Sequence, residues 1–165
     1  MNRRHLILAI GLALLGAGEA RAEAGADLSA ALIYNIIRFV EFPDTSSTLR
    51  LCVRQGDQLA NALRQLNGRP AGRLQVRVVT TEGMEGLHGS CDVVVIGGTP
   101  AYSFGRPAAG QMLIGDTENF VESGGTVGLI RFGRQTRFAI NATAVQRSKL
   151  RVSSQVMQLA AKVIR

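Results

Sequence analysis

The sequence predicts an α/β protein: one domain holding an open mixed sheet with a parallel core, an antiparallel hairpin at one edge and flanking helices. Three observations predict it. Strand-sized apolar runs alternate with helical patterns, as βαβ units require. Val93–Ile96, led by Asp92, is apolar without a break, as a strand buried on both faces must be. Gly133-Arg134-Gln135 separates two strand-like runs, which is hairpin spacing.

The elements follow in order. Leu6 to Ala17 is an uncharged apolar run behind Arg3 and Arg4, and Ala20-Arg21-Ala22 places small residues where a signal peptidase reads. Glu19 and Arg21 cut the run short of the ~20 apolar residues of a spanning helix. The expectation is a cleavable signal over residues 1–22, an exported domain over residues 23–165 and no other span. Asp27 to Glu41 reads as a helix stopped by Phe42-Pro43. Leu49 to Val53 is a strand, and Asp57 to Leu66 is a helix with Leu59, Ala62, Leu63 and Leu66 on one face. Leu74 to Val79 alternates as a strand with one wetter face, and Met84 to Leu87 has room for one helical turn. Asp92 to Ile96 takes the sheet centre, and Gly97-Gly98-Thr99-Pro100 ends it. Gln111 to Gly115 is a strand, and Glu118 to Glu122 reads as a short helix capped by Asp116 or Thr117. Val127 to Phe132 and Arg137 to Asn141 form the hairpin. From Ser153 to the end the pattern is an amphipathic helix with Val156, Leu159, Ala160 and Val163 inward.

The net charge is +7, falling to about +5 once residues 1–22 are removed. The arginines are spread singly, without runs or interleaved aromatics, which argues against nucleic acid as a partner. Cys52 and Cys91 are the two cysteines, and an even pair in an oxidising compartment favours a disulfide over free thiols. Both fall on predicted strands, where bridging geometry is restrictive.

Catalytic chemistry is thinly supplied. Beyond the signal, His88 is the single histidine, which gives no triad and, with two cysteines, no zinc set. No nucleophile elbow or phosphate-binding loop motif occurs. Gly97-Gly98 offers backbone amides to a phosphate, or simply a turn. Asp92, Asp116, Glu118 and Glu122 are candidate paired carboxylates whose positions suit capping and surface roles equally well. No enzyme activity, cofactor or metal is expected. Arg38 sits on a largely apolar helix and Arg137 within a strand. Each either pairs on the surface or, with Tyr34 and Asn141, lines a pocket for an anion.

Ala30-Ala31-Leu32-Ile33-Tyr34-Asn35-Ile36-Ile37-Arg38-Phe39-Val40-Glu41-Phe42-Pro43 resembles the opening block of the YfiR-like family of periplasmic regulators. Leu49 to Val53, Cys91 with its strand, Phe120 with Gly124-Gly125, Arg137 to Asn141 and Leu150 to Gln155 resemble its later blocks in the same order. Phe42 stands where that family usually has tryptophan, and a second cysteine pair is missing. The resemblance implies a non-catalytic α/β protein that binds the periplasmic sensor domain of an inner-membrane diguanylate cyclase and represses it, lowering cyclic-di-GMP and biofilm formation. It also supports pairing of Cys52 with Cys91. The alternative is a small-anion-binding sensor subunit acting with a histidine kinase or other membrane receptor. A partner surface is expected around Phe120 and Gln158, and a homodimer is compatible with so small a regulator.

Overall fold

The computed structural model describes the backbone of residues 3–165 apart from positions 44, 46, 88 and 134, and side chains from residue 18 on. In chain order the elements are helix α1 (Arg3–Ile37), strands β1 (Val40–Glu41) and β2 (Thr48–Arg54), helix α2 (Ala60–Arg64), and strands β3 (Pro70–Ala71), β4 (Leu74–Thr81), β5 (Val93–Ile96), β6 (Met112–Gly115), β7 (Val127–Phe132) and β8 (Gln135–Asn141). Helix α3 (Ala142–Arg147), strand β9 (Arg151–Val152), helix α4 (Ser154–Leu159) and strand β10 (Lys162–Ile164) complete the chain.

One eight-stranded sheet runs β10-β8-β7-β6-β5-β2-β4-β3. Strands β4, β2, β5, β6 and β7 run parallel to one another, so the core is parallel as expected, and β3 and β8 join its two sides antiparallel. Strand β5 lies mid-sheet with all four residues buried, which accounts for its unbroken apolar run. Because side chains alternate between faces, the sheet builds two cores. Leu49, Leu51, Val53, Val93, Val95, Met112, Ile114, Leu129, Phe138 and Ile140 pack with Ala26, Ala30, Ile33, Ile36 and Ile37 of α1 and with α2. Cys52, Val94, Ile96 and Leu113 face the other way, against Leu87, Cys91, Ala101, Phe104 and Phe120.

Four expectations are corrected. The helix over 27–41 ends at Ile37, because Val40 and Glu41 pair antiparallel with Val152 and Arg151 in a separate ribbon. The helix over 118–122 is replaced by consecutive turns, with Asn119 and Gly124 at positive φ. The terminal helix stops at Leu159, and Lys162–Ile164 instead pairs parallel with β8. An open edge of β8 leaves backbone donors and acceptors unpaired, and the last residues satisfy them. Consequently the β7–β8 hairpin is not the sheet edge, Leu159 is 75% exposed, and only Val156 of the expected inward set is fully buried. Helix α3 was not anticipated. It starts because the Asn141 side chain accepts from the Ala144 N–H at 2.8 Å.

Candidate functional site

Alternation along the strands decides where each candidate residue lies. Phe138 and Ile140 belong to the core under α1, so Arg137, Ala139 and Asn141 project from the opposite face. Arg137 lies over the exposed Phe132 ring, 5.9 Å from its centre. Asn141 is occupied by capping α3 and by donating its Nδ2 to the Val121 carbonyl at 2.8 Å. Arg38, one residue beyond α1, is exposed and stacks over Tyr34 at 5.4 Å and Phe39 at 5.8 Å. The Tyr34 hydroxyl donates to the Pro70 carbonyl, with Arg69 on its ring at 5.6 Å. The four expected pocket residues therefore divide between the two faces of the sheet and do not converge on one anion.

Phe120, expected on the partner surface, is 1% exposed. Its ring is wedged between Gly115 and Gly125, and a Cβ at either glycine would overlap it. Glycine five residues to each side of an aromatic was the signal available in the sequence.

Of the expected carboxylates, Asp92, Asp116 and Glu122 make contacts within the fold, and Glu118 lies exposed in the turns after β6. Asp92 accepts from the Arg50 N–H at 2.7 Å and from the Thr45 hydroxyl at 2.9 Å. Asp57 and Asp116 serve the turn after β5: Asp57 accepts from the Gly97 N–H and Asp116 from the Gly98 N–H, both at 2.7 Å. This turn lies at the C-terminal ends of parallel strands, next to where the chain leaves β2 for β4 on one side and β5 on the other. Open α/β sheets ordinarily take ligands in that crevice. Here the amides proposed for a phosphate hold the protein's own carboxylates. Glu122 accepts from Lys162 Nζ at 2.5 Å. That hydrogen bond, then one from its own backbone, holds its carboxyl below the usual range despite an opposing desolvation effect. His88 lies outside the described residues.

Cys52 on β2 and Cys91 in the loop ahead of β5 form a disulfide, with Cα atoms 5.9 Å apart. The expectation that Cys91 lies within a strand is corrected, and its loop position relaxes the restriction on bridging.

Gln158 does line an opening in the surface. Leu32, Asn35, Ile36 and Phe39 of the α1 end and Gln155, Val156, Gln158 and Leu159 of α4 bound a groove of about 500 Å³ floored by Phe138. Phe39 (44% exposed) and Leu159 (75% exposed) are its apolar lips, and three side-chain amides lie along it. An exposed apolar groove with a polar rim is the character of a surface that is covered by a partner.

A family model described as YfiR/HmsC-like matches residues 26–161, nearly the whole folded unit. The chain belongs to the YfiR/HmsC-like family. In this YfiR/HmsC-like protein both Cys52 and Cys91 lie within the matched residues. Curated proteins yield no match. Among solved structures, the fold is similar to an ABC domain in complex with L-Trp from Streptococcus pneumonia, at TM-score 0.54 and 12% identity, covering 79% of this chain and 59% of that one. A conserved domain protein from Vibrio cholerae O1 biovar El Tor str. N16961 aligns at TM-score 0.49 and 14% identity, covering 84% and 60%. The chain thus spans about three-fifths of each, and the first likeness speaks to fold alone. Among the described residues no helix is long and apolar enough to cross a membrane, and no group of three or more His, Cys, Asp or Glu could hold a metal ion.

Proposed function

We propose that this protein is exported to the periplasm, by cleavage after Ala22, and there binds and represses the sensor domain of an inner-membrane diguanylate cyclase. The observation that carries this reading is the family match over residues 26–161. The groove between α1 and α4 supports it, since an apolar cleft with amide-bearing walls suits a protein segment better than a reaction. Repression needs no chemistry. The regulator has only to bind the inactive sensor more tightly than the active one, by about 5.5 kcal/mol for a near-complete switch.

The test is deletion of the gene, a cellular cyclic-di-GMP assay, and complementation with wild type or with Leu159→Asp. Deletion raises cyclic-di-GMP and wild type restores it. Leu159→Asp, which charges one lip of the groove at a position 75% exposed and therefore folds, fails to restore it while accumulating normally. Unchanged cyclic-di-GMP on deletion overturns the reading.

A further inference from the structure

The end of the sheet at β3 and β4 carries a concentration of charge that the regulatory reading does not use. Residues 58–81 contain four arginines, Arg64, Arg69, Arg73 and Arg77, and no acidic residue. All four are exposed, as are Arg38 and Arg50. The register pairs Arg50 of β2 with Arg77 of β4, so the two guanidinium stems leave the same face on adjacent strands. Their neighbours on that face, Thr48 and Gln75, are also registered together and exposed. Arg64 reaches the same place from α2: it lines, with Thr48, Asn67, Gln75 and Arg77, an open cleft of about 470 Å³.

Like charges directly opposite on a sheet repel, and this pair is not compensated from within. Among the described residues the ion pairs are Arg151 with Glu41 and Lys162 with Glu122, and none involves these six arginines. Asp92 is adjacent, and its carboxylate accepts from the Arg50 backbone N–H and the Thr45 hydroxyl without forming an ion pair with either guanidinium.

Composition selects the partner. A protein interface needs an apolar or aromatic centre, and the exposed large apolar residues (Leu28, Phe39, Tyr102, Phe132, Leu159 and Val163) are absent from the face of Thr48, Arg50, Gln75 and Arg77. A layer of anionic headgroups needs only charge at a flat, polar surface. We propose that this basic sheet end binds anionic phospholipid headgroups and holds the protein against the membrane surface. The proposal rests on the regulatory reading for its setting, an exported protein whose partner is membrane-embedded, but its test needs no partner.

The experiment is co-sedimentation of the processed protein at about 0.15 M salt with vesicles of phosphatidylglycerol and phosphatidylcholine, against phosphatidylcholine alone. Arg50→Gln/Arg73→Gln/Arg77→Gln is compared with Arg147→Gln/Lys149→Gln, whose charges lie on and just past α3, by the opposite sheet edge. Wild type binds the anionic vesicles only. Each arginine near such a surface is worth about fivefold in partition, so the triple variant loses at least about tenfold and the α3 variant less than about threefold. Circular dichroism matching wild type shows that both variants fold. Equal losses in the two variants would mean that net charge alone acts, and would overturn the proposal, as would no binding to anionic vesicles. Release of bound protein by millimolar inorganic phosphate, at constant ionic strength, would assign the arginines to a free anion instead. Vesicle binding is indifferent to any cyclase, so it can succeed where the deletion test fails, and the reverse.

Discussion

On one side of the sheet, Ala26, Ala30, Ile33, Ile36 and Ile37 of α1 share a core with Leu51, Val93, Ile114 and Ile140, and α2 and α4 extend it. On the other side, single helical turns and loops bring Leu87, Ala101, Phe104 and Phe120 onto Cys52, Val94, Ile96 and Leu113. A helix presents a whole apolar stripe and satisfies its own backbone, so it closes a sheet face by burial alone. A loop does neither, and the second face is fastened by point devices: one disulfide, one ring locked between two glycines, and one lysine–glutamate contact at the rim. The difference teaches where the fold is vulnerable.

The largest effect is expected at the disulfide. A closed loop of this length, with the cysteines 39 positions apart in sequence, contributes about 4 kcal/mol in the chain-entropy account. Cys52→Ser with Cys91→Ser should lower the urea unfolding free energy by about that amount. Amide exchange should accelerate first around Leu87, Phe104 and Phe120, with α1 amides following only at global unfolding. Equal acceleration on both faces would break the comparison.

A smaller loss tests the wedge. Gly115→Ala pushes a methyl into the Phe120 ring, and overpacking of this kind costs about 1–3 kcal/mol. Phe120→Leu introduced into that variant should recover part of the loss. Additive losses would show that the ring and the glycine do not act as one device.

Least is expected from Lys162→Ala, because the partners are 55% and 36% exposed and such pairs contribute a few tenths of a kcal/mol. Its signature is in pH. The Glu122 carboxyl is held below its unfolded value, so its stabilisation is present above the ordinary carboxylate range and is lost as pH falls through the lowered value. Wild type and Lys162→Ala should differ slightly in urea midpoint at neutral pH and converge in acid.

The central strands were legible because burial writes itself into composition. Val93–Ile96 is apolar on both faces, while Leu49 and Leu51 alternate with the exposed Thr48 and Arg50. Lys162–Ile164 was not legible as a strand, because its apolar spacing also suits a helix and only the unpaired edge of β8 decides the matter. The segment around Phe120 failed for a related reason: its acidic residues and cap mimic a helix start, while the packing of the ring against Gly115 and Gly125 is a property of three dimensions. At the site, Gln158 lines an exposed groove, while Arg38 and Arg137, alike in residue type, leave different faces of the sheet. The acid-free stretch over residues 58–81 stood in the sequence throughout. Its arginines looked dispersed because only strand register sets Arg50 beside Arg77.

The turn after β5 has a consequence for any anion that reaches it. Gly97 and Gly98 already donate to Asp57 and Asp116, and a Cβ on Gly97 would come within 2.8 Å of the Asp57 carboxylate, so the fit is close. A competitor tied to the same chain does not diffuse away, and its local concentration is independent of dilution. A free phosphate would have to displace two such tethered rivals and leave both carboxylates facing its own negative charge. The crevice is in effect a receptor that carries its own antagonist.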